Sequence, residues 1–101
     1  MKPSHATHVS PETKEALSKR LRRIEGQVRG LQRMIDEERY CADILVQIAS
    51  AQEALRAVGK VLLRSHLTHC ATAAIRSGDP AEAERTVSEL VELFAKQVSG
   101  R

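Results

Sequence analysis

At 101 residues the chain has room for one domain, and with one Phe, one Tyr and no Trp its core must come from Leu, Ile, Val and Ala. Its net charge of +3 is unevenly placed: residues 11–35 carry seven Lys or Arg against three Glu, residues 79–101 three Lys or Arg against five Asp or Glu, so an anionic partner is expected at the basic front. No apolar run nears the roughly 20 residues that cross a bilayer and no charged-then-apolar leader opens the chain, which predicts a cytoplasmic protein with no membrane partner and with both cysteines reduced.

Residues 1–9, with His5 and His8, read as a flexible polar tail, and residues 10–101 as a single helical domain. Ser10-Pro11-Glu12 is a helix start: a capping hydroxyl, proline at the first helical position, then an acid at the positive end of the dipole. Apolar residues follow at Leu17, Leu21, Ile24, Val28, Leu31 and Ile35, in steps of 4, 3, 4, 3 and 4, a coiled-coil-like stripe. Gly26 and Gly30 lower the propensity of this helix and suggest close approach of a neighbour.

Asp36-Glu37-Glu38 is a weak break. A second stripe runs through Cys41, Ile44, Ile48, Ala51, Leu55, Val58 and Leu62, and with no proline before Pro80 one helix is predicted from about Tyr40 to about Arg76. Ser77-Gly78 supplies its stop. Asp79-Pro80-Ala81-Glu82 starts a third helix with a capping box, and its stripe is Val87, Leu90, Val91, Phe94 and Val98. The fold class is all-α: a long antiparallel hairpin plus a shorter C-terminal helix.

Three soft ligands stand out. His66 and Cys70, four apart, share one helical face. Cys41 lies 25 residues before His66, about 37 Å along a continuous helix. The three cannot meet within one chain, but they can in an antiparallel dimer, which two-fold symmetry would give two equivalent sites. Two thiolates and an imidazole suit trigonal Cu(I). Zn(II) would need His69 or water as a fourth ligand, and Ni(II) would call on His5 or His8 for nitrogen. Against this stands the plainer reading of core cysteines and a dipole-stabilised histidine. His69 is expected exposed or in an outer layer of the site, and His5 and His8 solvated.

The first helix carries Lys14, Lys19, Arg20, Arg22, Arg23, Arg29 and Arg33, and the second adds Arg56, Lys60 and Arg64. A solvated polar face is the plain reading. The high arginine share suits phosphate contact. With no recognition-helix turn, zinc-finger spacing or aromatic platform, DNA would have to be held by a broad basic surface of an assembled oligomer. No enzyme is expected, since there is no phosphate-cradling glycine loop, paired-carboxylate cleft or nucleophile–base pair.

The runs from Arg20 to Leu31 (RLRRIEGQVRGL), Tyr40 to Ile48 (YCADILVQI) and His66 to Cys70 (HLTHC) resemble the bacterial copper-sensitive operon repressor family over about residues 12–98. The resemblance implies an antiparallel dimer, paired into a homotetramer, that represses from operator DNA and lets go when Cu(I) binds, freeing copper-resistance genes. Cys41 would come from one protomer and His66 and Cys70 from its partner. Tyr40 and Glu89 match residues of a hydrogen-bond network around the site, and Arg20 a DNA-contacting position. The remaining DNA candidates are Lys19, Arg22, Arg23, Arg29, Arg56 and Lys60. A second basic position of some members falls at Ala57, and the N-terminal histidine of nickel sensors falls at Val9, beside His8. A Ni(II)- or Zn(II)-responsive repressor, or a metal buffer without a DNA role, are the alternative readings.

Overall fold

The computed structural model describes residues 9–99. Among them the regular structure is helical throughout: α1 (Pro11–Asp36), α2 (Cys41–His66), a π-helical turn (Leu67–Ala71), α3 (Thr72–Arg76) and α4 (Pro80–Ser99). His5 and His8, with the rest of the tail before Val9, lie outside the described residues. The chain divides into two compact units, one spanning Pro11–Val58 and the other taking in Gly59 onward.

In the first unit, α1 starts at the expected proline, and its partner is the first part of α2. The two run antiparallel, with the Gln27 amide donating to Ser50 Oγ at 3.4 Å. Leu17, Ile24, Ala51 and Val58 are buried. The stripe on α1 is therefore split lengthwise. Its Leu17–Ile24 edge turns in, whereas Leu21, Val28 and Ile35 are 45%, 52% and 62% exposed.

The weak break has a definite geometry. Glu38 takes a left-handed conformation (φ 53°). Its N–H donates to Ile35 O at 3.0 Å and that of Arg39 to Met34 O at 2.9 Å. This is a Schellman ending with glutamate where glycine is usual. The Tyr40 carbonyl then accepts from Asp43 and Ile44 and starts α2.

In the second unit the expected helix to Arg76 is helical all the way, but its hydrogen bonding loosens to the π pattern over Leu67–Ala71 before α3 resumes the α pattern. Such single π turns are frequent at functional sites. Ala71 and Ala74 are buried. Gly78 (φ 75°) closes α3 as expected. The capping box forms only by half. Asp79 Oδ1 accepts from the Ala81 N–H at 3.0 Å, but the Asp79 N–H donates to Ser77 Oγ. Glu82, the residue expected to reach back, pairs with Arg85 at 2.6 Å instead.

The stripe on α4 faces outward. Val87, Val91, Phe94 and Val98 are exposed, and only Leu90 of that set is half-buried. Ala83, Thr86 and Gln97 are half-buried with it. The small and polar side chains of α4 are the ones that let it come close, and this brings Glu89 within reach of His66.

Candidate metal centre

His66 is the last residue of α2, and Cys70 lies inside the π turn that follows. Both are half-buried. A π turn spreads four residues over slightly less than one revolution, where an α turn would carry them just past it. Of the pair that sequence spacing placed on one α-helical face, His66 thus ends the regular α-helix and Cys70 sits in the π turn, where the hydrogen bonding differs.

His66 is held from the other side. Its Nε2 lies 2.9 Å from Glu89 Oε1, on α4. An ionised carboxylate only accepts, so a neutral imidazole donates Nε2–H and keeps its lone pair on Nδ1. Nδ1 is then the atom left to ligate. Burial pushes the Cys70 thiol above its ordinary value, and the Glu89 carboxylate pushes it the same way. A soft cation that replaces this proton would relieve both effects, since it supplies the positive charge that the buried thiolate lacks.

Cys41 is the first residue of α2 and is exposed. Tyr40 before it is 74% exposed. Among the described residues no group of three or more His, Cys, Asp or Glu side chains gathers into a metal cage. One chain therefore pairs His66 with Glu89 and, among the described residues, does not complete a three-ligand set. His69 is exposed, and its Nδ1 lies 2.9 Å from the Ser65 carbonyl, a bond within its own helical turn.

The basic residues of α1 are laid out cleanly. At about 100° per residue, Lys19, Arg22, Arg23, Arg29 and Arg33 fall within an arc of roughly 120°, opposite the apolar stripe, whereas Arg20 lies about 60° outside that arc, beside Leu31 of the stripe. All six are exposed, and Arg29 makes only a loose 3.9 Å pair with Glu25. Lys60 is exposed as well, whereas Arg56 is half-buried and donates to Glu53 at 2.9 Å. Ala57 is half-buried.

Residue-level reasoning alone did not find Glu89 or the π turn. Glu89 was reached through the family resemblance, and no residue type in Leu67–Ala71 announces π geometry.

An all-helical chain with a thiol–imidazole pair and an arginine-rich helix face is the build of a metal-responsive DNA-binding protein. The model of the metal-sensitive transcriptional repressors matches residues 13–96, and the chain belongs to that family. Its members repress transcription and are not enzymes, so DNA is the partner class. The chain is 48% identical over 89 residues to the copper-sensing transcriptional repressor CsoR of Bacillus subtilis (strain 168), covering 88% of this chain and 85% of that one. It is 47% identical over 92 residues to the copper-sensing repressor RicR of Mycobacterium tuberculosis, covering 85% and 96%. Among solved structures it is similar to the Cu(I)-bound repressor CsoR of Geobacillus thermodenitrificans NG80-2, with TM-score 0.77, 46% identity and 95% and 92% of the two chains covered. The nickel-responsive regulator InrS follows at TM-score 0.67 and 35% identity, with 82% and 90% covered.

Proposed function

We propose that this protein is a Cu(I)-responsive repressor whose metal-free form holds operator DNA and whose copper-bound form releases it, freeing copper-resistance genes. The observation that carries the reading is His66, clamped through Nε2 by Glu89 so that Nδ1 is left to ligate, four residues from the half-buried Cys70 thiol. Cys41 supplies the third ligand from a second copy of the chain. A helix of 26 residues is about 39 Å long, with Cys41 at its first position and His66 at its last, so an antiparallel copy is what brings unlike ends together. Cys41 of one copy with His66 and Cys70 of the other would hold Cu(I), a soft ion suited to two thiolates and an imidazole. Tyr40 of the copy that supplies Cys41 would join Glu89 in steadying the imidazole.

The oligomer is supported by what the single chain leaves bare. Only Leu17, Ile24, Val58 and three alanines are buried apolar side chains among the described residues, while rows such as Leu21–Val28–Ile35 and Val87–Val91–Phe94–Val98 are exposed. Contiguous apolar rows of this kind mark association surfaces. A dimer paired into a homotetramer covers them. Residues 10–101 then act as one metal-sensing, DNA-binding domain in the cytoplasm, and no described helix is long and apolar enough to cross a membrane.

DNA is held chiefly through phosphate by Lys19, Arg20, Arg22, Arg23 and Arg29, with Lys60 and Arg56 contributing from α2. Arg56 is the weakest candidate because Glu53 already engages it. Nickel is the second reading, favoured by the likeness to InrS. Anaerobic titration with Cu(I), Ni(II) and Zn(II), reading metal affinity and operator release together, decides between them. Tight Cu(I) binding with at least a tenfold loss of operator affinity, the size of a typical allosteric coupling, is expected. Unchanged operator affinity in Cu(I) overturns the regulatory reading.

A further inference from the structure

The seam between the end of α2 and α4 is held at two points. At one, Glu89 reaches His66. At the other, the Gln97 side-chain amide lies directly over Gly59, so close that a Cβ added at position 59 would land on its Cδ, Oε1 and Nε2 atoms. Gly59 precedes His66 by seven residues and Gln97 follows Glu89 by eight, so the two contacts stand about two turns apart on helices running in opposite directions. Between them Leu62, Leu63 and Leu93 line a hollow of about 230 Å³.

That arrangement divides the work. Leucines around an underfilled hollow attract without fixing how far one helix has slid along the other, because apolar contact is non-directional. The Gln97 amide packed over the bare backbone of Gly59 and the Glu89 carboxylate on the His66 imidazole are contacts tied to particular positions along the seam. Glycine is also a poor choice for the interior of a helix on propensity grounds. Its use at position 59 is explained by the Gln97 amide, which occupies the volume of the missing side chain.

We propose that Gly59 and Gln97 form a register clasp, a positioning pair that sets α4 on α2 so that Glu89 meets His66 Nε2 and the imidazole presents Nδ1. Neither residue touches a metal. The clasp is a property of the metal-free chain, and only its consequence for copper rests on the function proposed above.

The test is the tautomer of His66 in the metal-free full chain, read from long-range proton–nitrogen NMR spectra at a pH where the imidazole is neutral. The wild type should be predominantly Nε2–H. Gly59→Ala displaces the amide from its seat, and Gln97→Ala removes it. Each should lower the ratio of Nε2–H to Nδ1–H by at least about threefold, the size of a weakened hydrogen bond. The double variant should fall no further, because both substitutions break one contact. Alanine at position 59 favours the helix itself, so circular dichroism should show undiminished helix content, and a lost tautomer preference cannot then be put down to unfolding. A wild-type ratio in both single variants, or additive losses in the double, overturns the proposal. If the ratio falls as expected while wild-type protein keeps its operator in Cu(I), the clasp stands and the copper reading fails.

Discussion

The residues proposed as ligands at the two ends of α2 stand in different states of preparation. At its C-terminal end, half-buried His66 is paired with Glu89, and half-buried Cys70 follows on the π turn with its thiol pushed above its ordinary pKa. At its N-terminal end, Cys41 is exposed at the first turn of a regular helix, behind an exposed Tyr40. One end is built before metal arrives, and the other offers a ligand with nothing around it. On the function proposed above, a site assembled from unlike ends would tie metal binding to the packing of two chains, and subunit packing would carry the signal to the DNA-binding face proposed for α1.

The largest effect should come from breaking each end in a different chain. Cys41→Ala and His66→Ala should each abolish tight Cu(I) binding, a loss exceeding the 10–100-fold typical of outer-shell changes. Mixing the two variants should then recover one Cu(I) site per heterodimer, because one pairing unites the intact Cys41 with the intact His66 and Cys70. Anaerobic copper titration of refolded mixtures, with heterodimers separated by affinity tag, measures this. A site built within one chain would recover nothing on mixing.

A smaller effect tests what makes the C-terminal end different. Glu89→Gln keeps the shape but replaces the carboxylate with an amide, which can face His66 with a donor as easily as with an acceptor. Cu(I) affinity or the coupling to operator release should fall roughly 10–100-fold, as for other partners of metal-bound histidines. Competition with a chelator of known affinity reads the first quantity, and fluorescence anisotropy on operator DNA the second. An unchanged value for both would mean that the Glu89–His66 bond of the metal-free chain plays no part once metal is bound.

Much of this contrast was legible in the sequence. Helix starts at Pro11 and Pro80 and the stop at Gly78 follow from local chemistry that no neighbour overrides. The stripes were legible as apolar rows, but the direction each faces was not. Leu17 and Leu21 are equally apolar, and only the position of α2 decides that one is buried and the other bare. On α4 the half-buried positions include Ala83, Thr86, Leu90 and Gln97, so only Leu90 of its apolar stripe turns inward. Residue type and spacing were enough to single out Cys41, His66 and Cys70 as the candidate ligands. The partner of His66 was not, since Glu89 lies 23 residues away on another helix among several other glutamates. The π turn at Cys70 carries no local signature in the residue types of Leu67–Ala71.

The pH dependence sharpens the same contrast from the thiol side. The folded chain holds the Cys70 proton more tightly than the unfolded chain does, through burial first and Glu89 second. A raised folded-state value contributes stability that is fully present below the unfolded thiol's pKa and is lost as pH rises through the folded one. The metal-free protein should therefore lose thermal stability on the alkaline side. Cys70→Ser should flatten that slope, and Glu89→Gln should reduce it. Melting temperatures across an alkaline series, taken under reducing conditions without metal, check the sign. Cu(I) should reverse the trend locally, because binding takes the thiolate form and improves as the proton leaves.

The smallest effect concerns the turn that feeds the Cys41 end. Glu38 sits at φ 53°, where a side chain meets the following carbonyl and a non-glycine residue pays about 1–2 kcal/mol. Both hydrogen bonds of the Schellman ending are backbone bonds, from Glu38 to Ile35 and from Arg39 to Met34, so a glycine would keep them. Glu38→Gly removes the strain but gives the unfolded chain more freedom, a partly offsetting term of up to about 1 kcal/mol. The net gain should be about 0.5–1 kcal/mol, measurable by urea denaturation at fixed protein concentration. Glu38→Val, β-branched at a left-handed position, should cost stability instead. If the turn acts only as a connector, neither substitution should move Cu(I) affinity once the protein is folded. A change in copper affinity with Glu38→Gly would mean that the strained turn helps to aim Cys41, and that the N-terminal end of α2 is more prepared than its exposure suggests.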